Sequence, residues 1–471
     1  MNILLVLPNE SEQSGHYMAN LGTSMPLGLG YLAAVLLREG HGVHVLDFQI
    51  RGTGVAAMTH ALSHRRFDAC GISVTTPFSQ AAYRVTAEVK KASPGTAVIL
   101  GGPHTVAVGG KVFEDCPDAD WAVFGEGEVT LPELLGVIAG RRDPGTVRGI
   151  GFRSGGVVTT PPRDFIKDLD SIPFPAYQLF DLKNYHPMVA WYKRLPWANM
   201  ISSRGCPHGC IYCNKNVWGR TCRLRSAQNV FEEIMLLKNS YGIREISFSD
   251  DTFTVNRERT VELCELLISA DTPVIWKCST RVDHVDAGLL RLLQRAGCYS
   301  VGYGVESGSQ RILDYIRKGV TKEQIRAAFR DSRAAGLETR AYFMLNLPHD
   351  DTSTTEETIR FSRELDPDYI DFEIAHPYPG TEFHRLIEQD SRYTIVREHW
   401  DNPRAQIGNY IVYLQPGLPE DALRRFMRRA FVGYYLRPKQ LFRQLRSLLT
   451  PGRARATLRA AWNVLRVRVA A

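Results

Sequence analysis

Two series of short apolar runs, each run followed by a helical pattern, constrain this chain more than any single residue does. The first series is Asn2–Leu7, Val43–Asp47, Ala69–Val74, Ala97–Leu100 and Trp121–Phe124, with helical spacing between, as in Leu27–Glu39 and Gln80–Lys91. Alternating strand and helix predict an α/β, doubly wound, Rossmann-like parallel sheet whose ligands lie beyond the carboxyl ends of its strands. The second series is Asn199–Ser202, Glu245–Ser249, Val274–Cys278, Tyr299–Tyr303, Glu338–Met344 and Tyr369–Ala375. Six strand–helix units predict a partial (β/α)6 barrel with its chemistry at the C-terminal strand ends. Between the two, Pro161-Pro162 and Asp168-Leu-Asp170-Ser-Ile-Pro173-Phe-Pro175 predict an extended, semi-rigid connector. The expected division is a first domain at 1–140, a linker at 141–195, a barrel at 196–385 and a mostly helical region at 386–471.

Composition narrows the setting. The chain is 44% hydrophobic and 23% charged, ordinary for a globular protein. Its first eight residues lack the basic flank of a signal peptide, and no apolar run reaches the ~18 residues of a membrane span. Nine cysteines, three clustered and six scattered, fit a reducing compartment better than a disulfide framework, so a cytoplasmic location is expected. From Asp421 to Ala471 thirteen Arg/Lys face one Asp, a net +12, so the preceding 420 residues carry −5 of the total +7. Two readings of that tail are open. It is a helical cap whose Arg stems cover apolar surface, or it docks peripherally on an anionic membrane or an acidic partner. Nucleic acid is not expected, because no recognition motif accompanies the charge.

The first run of the second series leads into Arg204-Gly205-Cys206-Pro-His-Gly-Cys210-Ile-Tyr-Cys213, a C-x3-C-x2-C pattern in a Gly/Pro loop. Thiolates are soft ligands that hold iron–sulfur clusters, and three of them leave one iron of a cubane open. By simple cysteine arithmetic the pattern arises by chance in roughly 0.003 of chains with this cysteine content. A zinc site is the rival. Zinc takes a fourth ligand, for which Cys222 and His208 are at hand, though neither has the usual finger spacing.

The loop resembles that of the radical S-adenosylmethionine (SAM) superfamily, including the aromatic Tyr212 before the third cysteine. The whole chain, with its Asp-Leu-Asp-x-Ile-Pro-Phe-Pro segment, resembles the cobalamin (B12)-binding subgroup. That resemblance implies a [4Fe–4S] cluster on Cys206, Cys210 and Cys213, whose open iron binds SAM. An external one-electron reductant of flavodoxin or ferredoxin type would then release a 5′-deoxyadenosyl radical. It implies a C-methyltransferase acting on a small molecule: the radical takes a hydrogen from an unactivated carbon, which receives the methyl group of methylcobalamin, and a second SAM restores that group. A non-methylating member, such as an oxidative cyclase or ring-contraction enzyme, carries the same motifs. A cluster-binding protein without turnover is the reading from another class.

The resemblance also assigns residues. Phe248-Ser-Asp250-Asp251-Thr-Phe253 places two carboxylates near SAM, the alternative being a cap on the next helix. Arg281 can meet the SAM carboxylate, the alternative being an ion pair. Gly304, Glu306 and Ser307, in Gly302-Tyr-Gly-Val-Glu-Ser-Gly308, approach its ammonium or ribose. Asn346 and Pro348 lie in a turn near adenine where glycine is frequent at the Asn346 and His349 positions. Pro377-Tyr-Pro-Gly-Thr381 closes the barrel, either bordering the substrate cavity or as a plain turn. In the first domain, Ser73, Thr75, Thr76, Gly101, Gly102, His104, Gly125, Glu126 and Gly127 stand at strand ends that resemble cobalamin-binding elements. The D-x-H-x-x-G element that supplies a lower cobalt ligand is missing after the first strand, where residues 8–15 read Pro-Asn-Glu-Ser-Glu-Gln-Ser-Gly. Base-off cobalamin is therefore expected, with His104 a contact to the nucleotide tail or a propionamide rather than to cobalt. The alternative is a degenerate domain that binds no cobalamin.

Overall fold

A computed structural model describes residues 1–9, 22–50, 52–188, 191–396 and 411–448. The first unit runs β1 (Asn2–Leu7), α1 (Leu27–Arg38), β2 (Gly42–Asp47), α2 (Val55–His64), β3 (Ala69–Ser73), α3 (Ser79–Ala92), β4 (Ala97–Gly101), α4 (Pro103–Val108), α5 (Val112–Asp115), β5 (Trp121–Val123) and α6 (Gly127–Ile138). Its strands are ordered β2-β1-β3-β4-β5 and pair in parallel. The inner strands are apolar runs buried on both faces, as Ile3, Leu4, Leu5 and Val6 are in β1, which is what a parallel sheet between two helical layers requires; edge strand β2 is only partly buried.

The connector differs from its expected form. Ser154-Gly155-Gly156 turns the chain so that β6 (Ile150–Arg153) and β7 (Val157–Thr159) form an antiparallel pair that extends the first sheet beyond β5. The following segment is packed rather than free. Leu169 and Ile172 bury with Leu27 and Tyr31 of α1, and the Tyr177 hydroxyl donates to buried Glu233 of the barrel.

The second unit runs β8 (Trp197–Met200), β9 (Ser203–Arg204), β10 (Arg223–Leu224), α7 (Ala227–Tyr241), β11 (Glu245–Phe248), α8 (Arg257–Ser269), β12 (Ile275–Thr280), α9 (Ala287–Arg295), β13 (Cys298–Glu306), α10 (Gln310–Tyr315), α11 (Lys322–Ala334), β14 (Glu338–Leu345), α12 (Thr352–Leu365) and β15 (Tyr369–Ile374). Strands β8-β11-β12-β13-β14-β15 pair in sequence order, all parallel, as an open half-barrel. After it come α13 (Glu382–Gln389), the small ladder of β16 (Thr394–Ile395) and β17 (Tyr413–Leu414), α14 (Glu420–Tyr435) and α15 (Pro438–Leu448).

The described part of the basic tail is a cap. Leu423, Phe426, Met427, Ala430 and Tyr434 of α14 are buried, and Phe431 meets Phe372 of β15 edge to face. Arg437 and Arg443 pair with Asp366 at 2.8 and 3.5 Å, joined there by Lys439. Residues 449–471, with five of the tail's arginines, lie outside the described residues, as does the segment 10–21 where the lower-ligand motif is missing. Among the described residues no helix is long and apolar enough to cross a membrane.

The two units are joined by a buried ion-pair cluster. Glu126, at the carboxyl end of β5, accepts from Arg204 and Arg223 of the barrel at 2.8 Å each, and from the Ile166 backbone N–H at 2.7 Å. Glu128 takes the other arm of Arg204 at 2.6 Å. Removing one member of such a cluster leaves charges buried without a counter-ion. Glu126→Ala is expected to lower the unfolding free energy by about 3–5 kcal/mol in a denaturant titration; a change below ~1 kcal/mol would show that the cluster does not hold the units together.

Candidate functional site

The cysteine loop leaves β9 at Gly205, whose φ is +93° and whose Cβ, were there one, would lie 2.4 Å from the Thr221 carbonyl oxygen. Only glycine allows that crossing. Cys206 is half-buried, Cys210 buried and Cys213 exposed. The loop is stitched down at its centre: the Ile211 N–H donates to Ile316 O at 3.2 Å, and the Phe383 N–H donates to Ile211 O at 3.0 Å. Just past the third cysteine, the Asn214 amide donates to Pro379 O at 3.3 Å.

Three thiols on one braced loop fit a cubane, because each thiolate binds its own iron. A single zinc ion needs its ligands to converge on one point. Among the described residues no three His, Cys, Asp or Glu side chains are grouped that way. His208, a possible fourth zinc ligand, instead shares a hydrogen bond with His284, Nε2 to Nε2 at 3.0 Å. Burial, helped by the Arg281 charge, pulls His208 down to about 4, so it is neutral at pH 7.

Around this loop stands a ring of charged groups. Arg281 grips Asp283 through two 2.9 Å bonds and donates to Lys318 O at 2.7 Å. Burial opposes its charge, but Asp283 outweighs burial, and Cys210 and Cys206 lie within electrostatic range. Glu306 pairs with Lys318 Nζ at 2.7 Å. Its φ is +67°, at a break in the β13–β14 register, so the backbone carries strain at this point. A Cβ on Gly304 would meet Glu306 Oε1 at 2.4 Å and Lys318 Nζ at 2.9 Å, so glycine there is a condition of that ion pair. The Tyr212 hydroxyl stands 3.5 Å from Lys318. Burial first, then Glu306 and the two nearest thiols, push that phenol well above its ordinary value.

Several expected residues have other partners. Asp250 is buried and accepts from the Ser202 N–H at 3.1 Å, the Ser202 hydroxyl at 2.8 Å and the Ser203 hydroxyl, so it braces the start of the loop. Neither Asp250 nor Asp251 caps α8, where Asn256 does so; Asp251 is exposed at the rim, with Lys215 in electrostatic range. Ser307 is fully buried against Thr358 of α12 at 3.2 Å. Asn346 donates to Tyr413 O at 3.0 Å and accepts from Gln415 at 3.1 Å, so its side chain anchors the β17 segment. Asn346 and His349 both have left-handed φ, +67° and +66°, which is why glycine suits those positions; Pro348 is buried between them.

The carboxyl edge of the first sheet is lined by small, partly exposed residues: Ser73, Thr75, Gly101, Gly102 and Gly125. A Cβ on Gly102 (φ +108°) would lie 2.8 Å from Val74 O, while one on Gly125 (φ +104°) would meet nothing within 4 Å. This open, side-chain-poor edge fits a bulky ligand such as cobalamin. His104 is buried, with Tyr83 at 3.0 Å and Thr76 at 3.3 Å from its two ring nitrogens, so it is an internal brace together with Thr76. Gly127 has its place because Leu32 of α1 sits 2.8 Å from where its Cβ would be. Glu126 is paired with Arg204 and Arg223 of the barrel.

Comparison with known proteins follows this geometry. Residues 200–362 match the model of the radical SAM superfamily and residues 19–135 that of the B12 binding domain. A protein of Pyrococcus horikoshii named an uncharacterized methyltransferase is 32% identical over 94% of this chain and 95% of its own length. The chain belongs to the B12-binding radical SAM enzymes. An anaerobic magnesium-protoporphyrin IX monomethyl ester cyclase of Rubrivivax gelatinosus is 29% identical, over 80% of this chain and 68% of its own length. Among solved structures, the radical SAM methyltransferase TsrM of Kitasatospora setae superposes with a TM-score of 0.74 at 18% identity, covering 98% of this chain and 99% of that one. The cobalamin-dependent SAM radical enzyme OxsB gives 0.75 at 17% identity, covering 97% of this chain and 72% of that one. These two show a shared fold over nearly the whole of this chain.

The membership extends the readings above. Arg317-Lys318-Gly319 lies in a turn with no motif of its own, so Lys318 is marked only by its pairing with Glu306. In the turn after β14, Asp350 is buried and accepts from the Leu347 N–H and the Thr354 hydroxyl at 2.9 and 2.8 Å. Burial pushes it up to about 7 from 3.8. A carboxyl raised on folding is stabilising below its unfolded value, and that stability is lost as pH rises towards the folded value. Between pH 4 and 7 the wild-type protein is expected to lose stability relative to Asp350→Asn; parallel pH profiles for the two would contradict this.

The cluster assignment has its own check. After anaerobic reconstitution the chain is expected to hold about four irons and four sulfides. Replacing Cys206, Cys210 and Cys213 together by Ala should abolish that content, and its retention would refute the assignment.

Proposed function

We propose that this chain is a cobalamin-dependent radical SAM C-methyltransferase, acting on an unactivated carbon of a small molecule. One observation carries the reading. The turn Pro377–Thr381 touches both the cysteine loop, through Asn214, and the first unit, where Ala107 of α4 lies 3.5 Å from the Cβ position of Gly380. The cysteine loop and the first unit thus both border this one turn, which supports a reading in which the two cofactors face each other there. When bound, the cluster with SAM supplies a 5′-deoxyadenosyl radical, and cobalamin supplies the methyl group.

The chain's own residues bind, orient and exclude water. Cys206, Cys210 and Cys213 hold the cluster. Glu306 and Lys318, a buried opposite-charge pair beside Tyr212, present an acceptor and a donor to the amino-acid end of SAM. Arg281, already gripped by Asp283, offers its remaining N–H groups to a carboxylate. Asp251 would take a ribose hydroxyl, Gly304 would let the backbone come close, and the turn with Pro348 would lie near the adenine. Ser73, Thr75, Gly101, Gly102 and Gly125 leave room for cobalamin. A one-electron reductant of flavodoxin or ferredoxin type is the external partner.

Methyl transfer is favoured by the relatives' names: beside the Pyrococcus protein, a hopanoid C-3 methylase of Methylococcus capsulatus is 26% identical over 76% of this chain. The test separates methylation from cyclisation. In anaerobic turnover with reductant and a turned-over substrate, a methyltransferase of this kind releases 5′-deoxyadenosine and S-adenosylhomocysteine in comparable amounts. Formation of 5′-deoxyadenosine without S-adenosylhomocysteine would establish the non-methylating reading, and absence of both would favour a binding protein.

A further inference from the structure

The inside of the half-barrel is a record of charges and their partners. Along β15 side chains alternate. Ile370, Phe372 and Ile374 are buried on the outer side, where Tyr435 and Phe431 of α14 pack. Tyr369, Asp371 and Glu373 therefore face the lumen. Deep in the lumen the charged groups have partners. Arg340 pairs with Asp371 at 2.8 Å and lies over Trp191 and Tyr369 at 4.2 and 4.8 Å. Lys277 donates to the Trp191 carbonyl, and Lys193 pairs with Glu338 at 2.6 Å. At the cluster end Lys318 is committed to Glu306.

Glu373 is the exception. It is exposed to the lumen beside Met344 of β14, its register partner. Among the described residues it has no ion-pair or hydrogen-bond partner. The charged groups that face it are Asp371 on its own strand and Glu306 on β13, both carboxylates. The phenols of Tyr342 on β14 and Tyr378 after β15 also lie within its range. The Tyr378 ring is held by stacking on His376, centroids 5.8 Å apart. Tyr378 belongs to the same turn that touches the cysteine loop and α4. The lumen thus ends, directly below the proposed meeting point of the two cofactors, in a carboxylate with no cation of its own.

We propose that Glu373, with Tyr378 beside it, recognises the substrate, and that the substrate presents a basic nitrogen to them. The proposal rests on the reading of this lumen as the substrate site. A cation entering there meets the negative potential of a carboxylate that, among the described residues, has no partner, whereas an anion meets that same uncompensated charge, Asp371 and Glu306 each being held by a cation of their own, Arg340 and Lys318. A hydroxyl can bond to Glu373 but gains nothing from that potential. Burial, then Asp371 and Glu306, push the Glu373 carboxyl up to about 7. It therefore carries its full charge only above that pH, and a bound ammonium holds it ionised.

The test measures binding to the reconstituted holoenzyme of three probes of one shape: phenethylamine, 2-phenylethanol and 3-phenylpropionate. Calorimetric titration should show the amine binding at least about tenfold more tightly than the alcohol and the acid, a difference of about 1.4 kcal/mol. Its affinity should rise as pH increases from 6 to 8. Glu373→Gln should abolish both the preference and the pH dependence while retaining wild-type iron and cobalamin, and Glu373→Asp should keep the preference. Equal binding of amine and acid by the wild-type enzyme, no detectable binding of the amine, or a preference that survives in Glu373→Gln would overturn the proposal. The wild-type comparison and its pH profile decide the matter even where a variant does not fold. Neither needs SAM cleavage, so failure here leaves the methyl-transfer reading standing, and failure of that reading leaves this result interpretable.

Discussion

Everything the site can do depends on how the two units are held face to face, and that is set by one buried carboxylate between two guanidiniums. Glu126 has a relative side-chain exposure of 3%, Arg204 of 4% and Arg223 of 8%. At about 4 Å separation and an effective dielectric near 20, each contact contributes about 4 kcal/mol. Taking each ion out of water costs several kcal/mol in return. The net gain over a well-packed apolar contact is therefore small. The cluster's value is in geometry, because apolar surfaces slide while Arg204, forked onto Glu126 and Glu128, accepts one register. Arg204 also directly precedes the cysteine loop, so the contact that fixes the first unit fixes the start of the loop too.

A second pattern follows from the first. Where a strand of the half-barrel ends at the site, the chain departs from regular backbone: Glu306 and Asn346 are left-handed at the ends of β13 and β14. Each departure is held by neighbours, Glu306 by Lys318 and Asn346 by the β17 segment. Such conformations cost of order 1–3 kcal/mol and persist only where the surroundings over-determine them. The described C-terminal elements are therefore part of the site's support: β17 secures the β14 turn, and α14 backs the strand that carries Glu373.

The strands were legible in the sequence because burial of one or both faces writes apolar or alternating runs, and eleven strands lie within a few residues of where those runs place them. The β6–β7 hairpin was not, because every residue of β7 is exposed and the pair carries little apolar signal. The cysteine loop was legible from spacing alone. Motif position showed that Asp250, Ser307, Asn346, His104 and Glu126 stand near strand ends, but could not show which way a side chain points. Each of the five has hydrogen-bond partners within the protein that motif position did not reveal. Lys318 and Glu373 had the opposite fate: neither lies in a motif, and only their surroundings, a paired glutamate for one and an unmatched lumen for the other, reveal them.

In the proposed function, the groups held by the cysteine loop and by the carboxyl edge of the first sheet lie close together. The most direct measurement is electron paramagnetic resonance of the anaerobically reconstituted chain, with the cluster reduced and cobalamin in its paramagnetic cobalt(II) form. A magnetic interaction between the two centres is expected to broaden or split both signals and to disappear from the cobalt signal when the three cysteines are replaced. Two signals that simply add, each identical to that of its isolated centre, would contradict it.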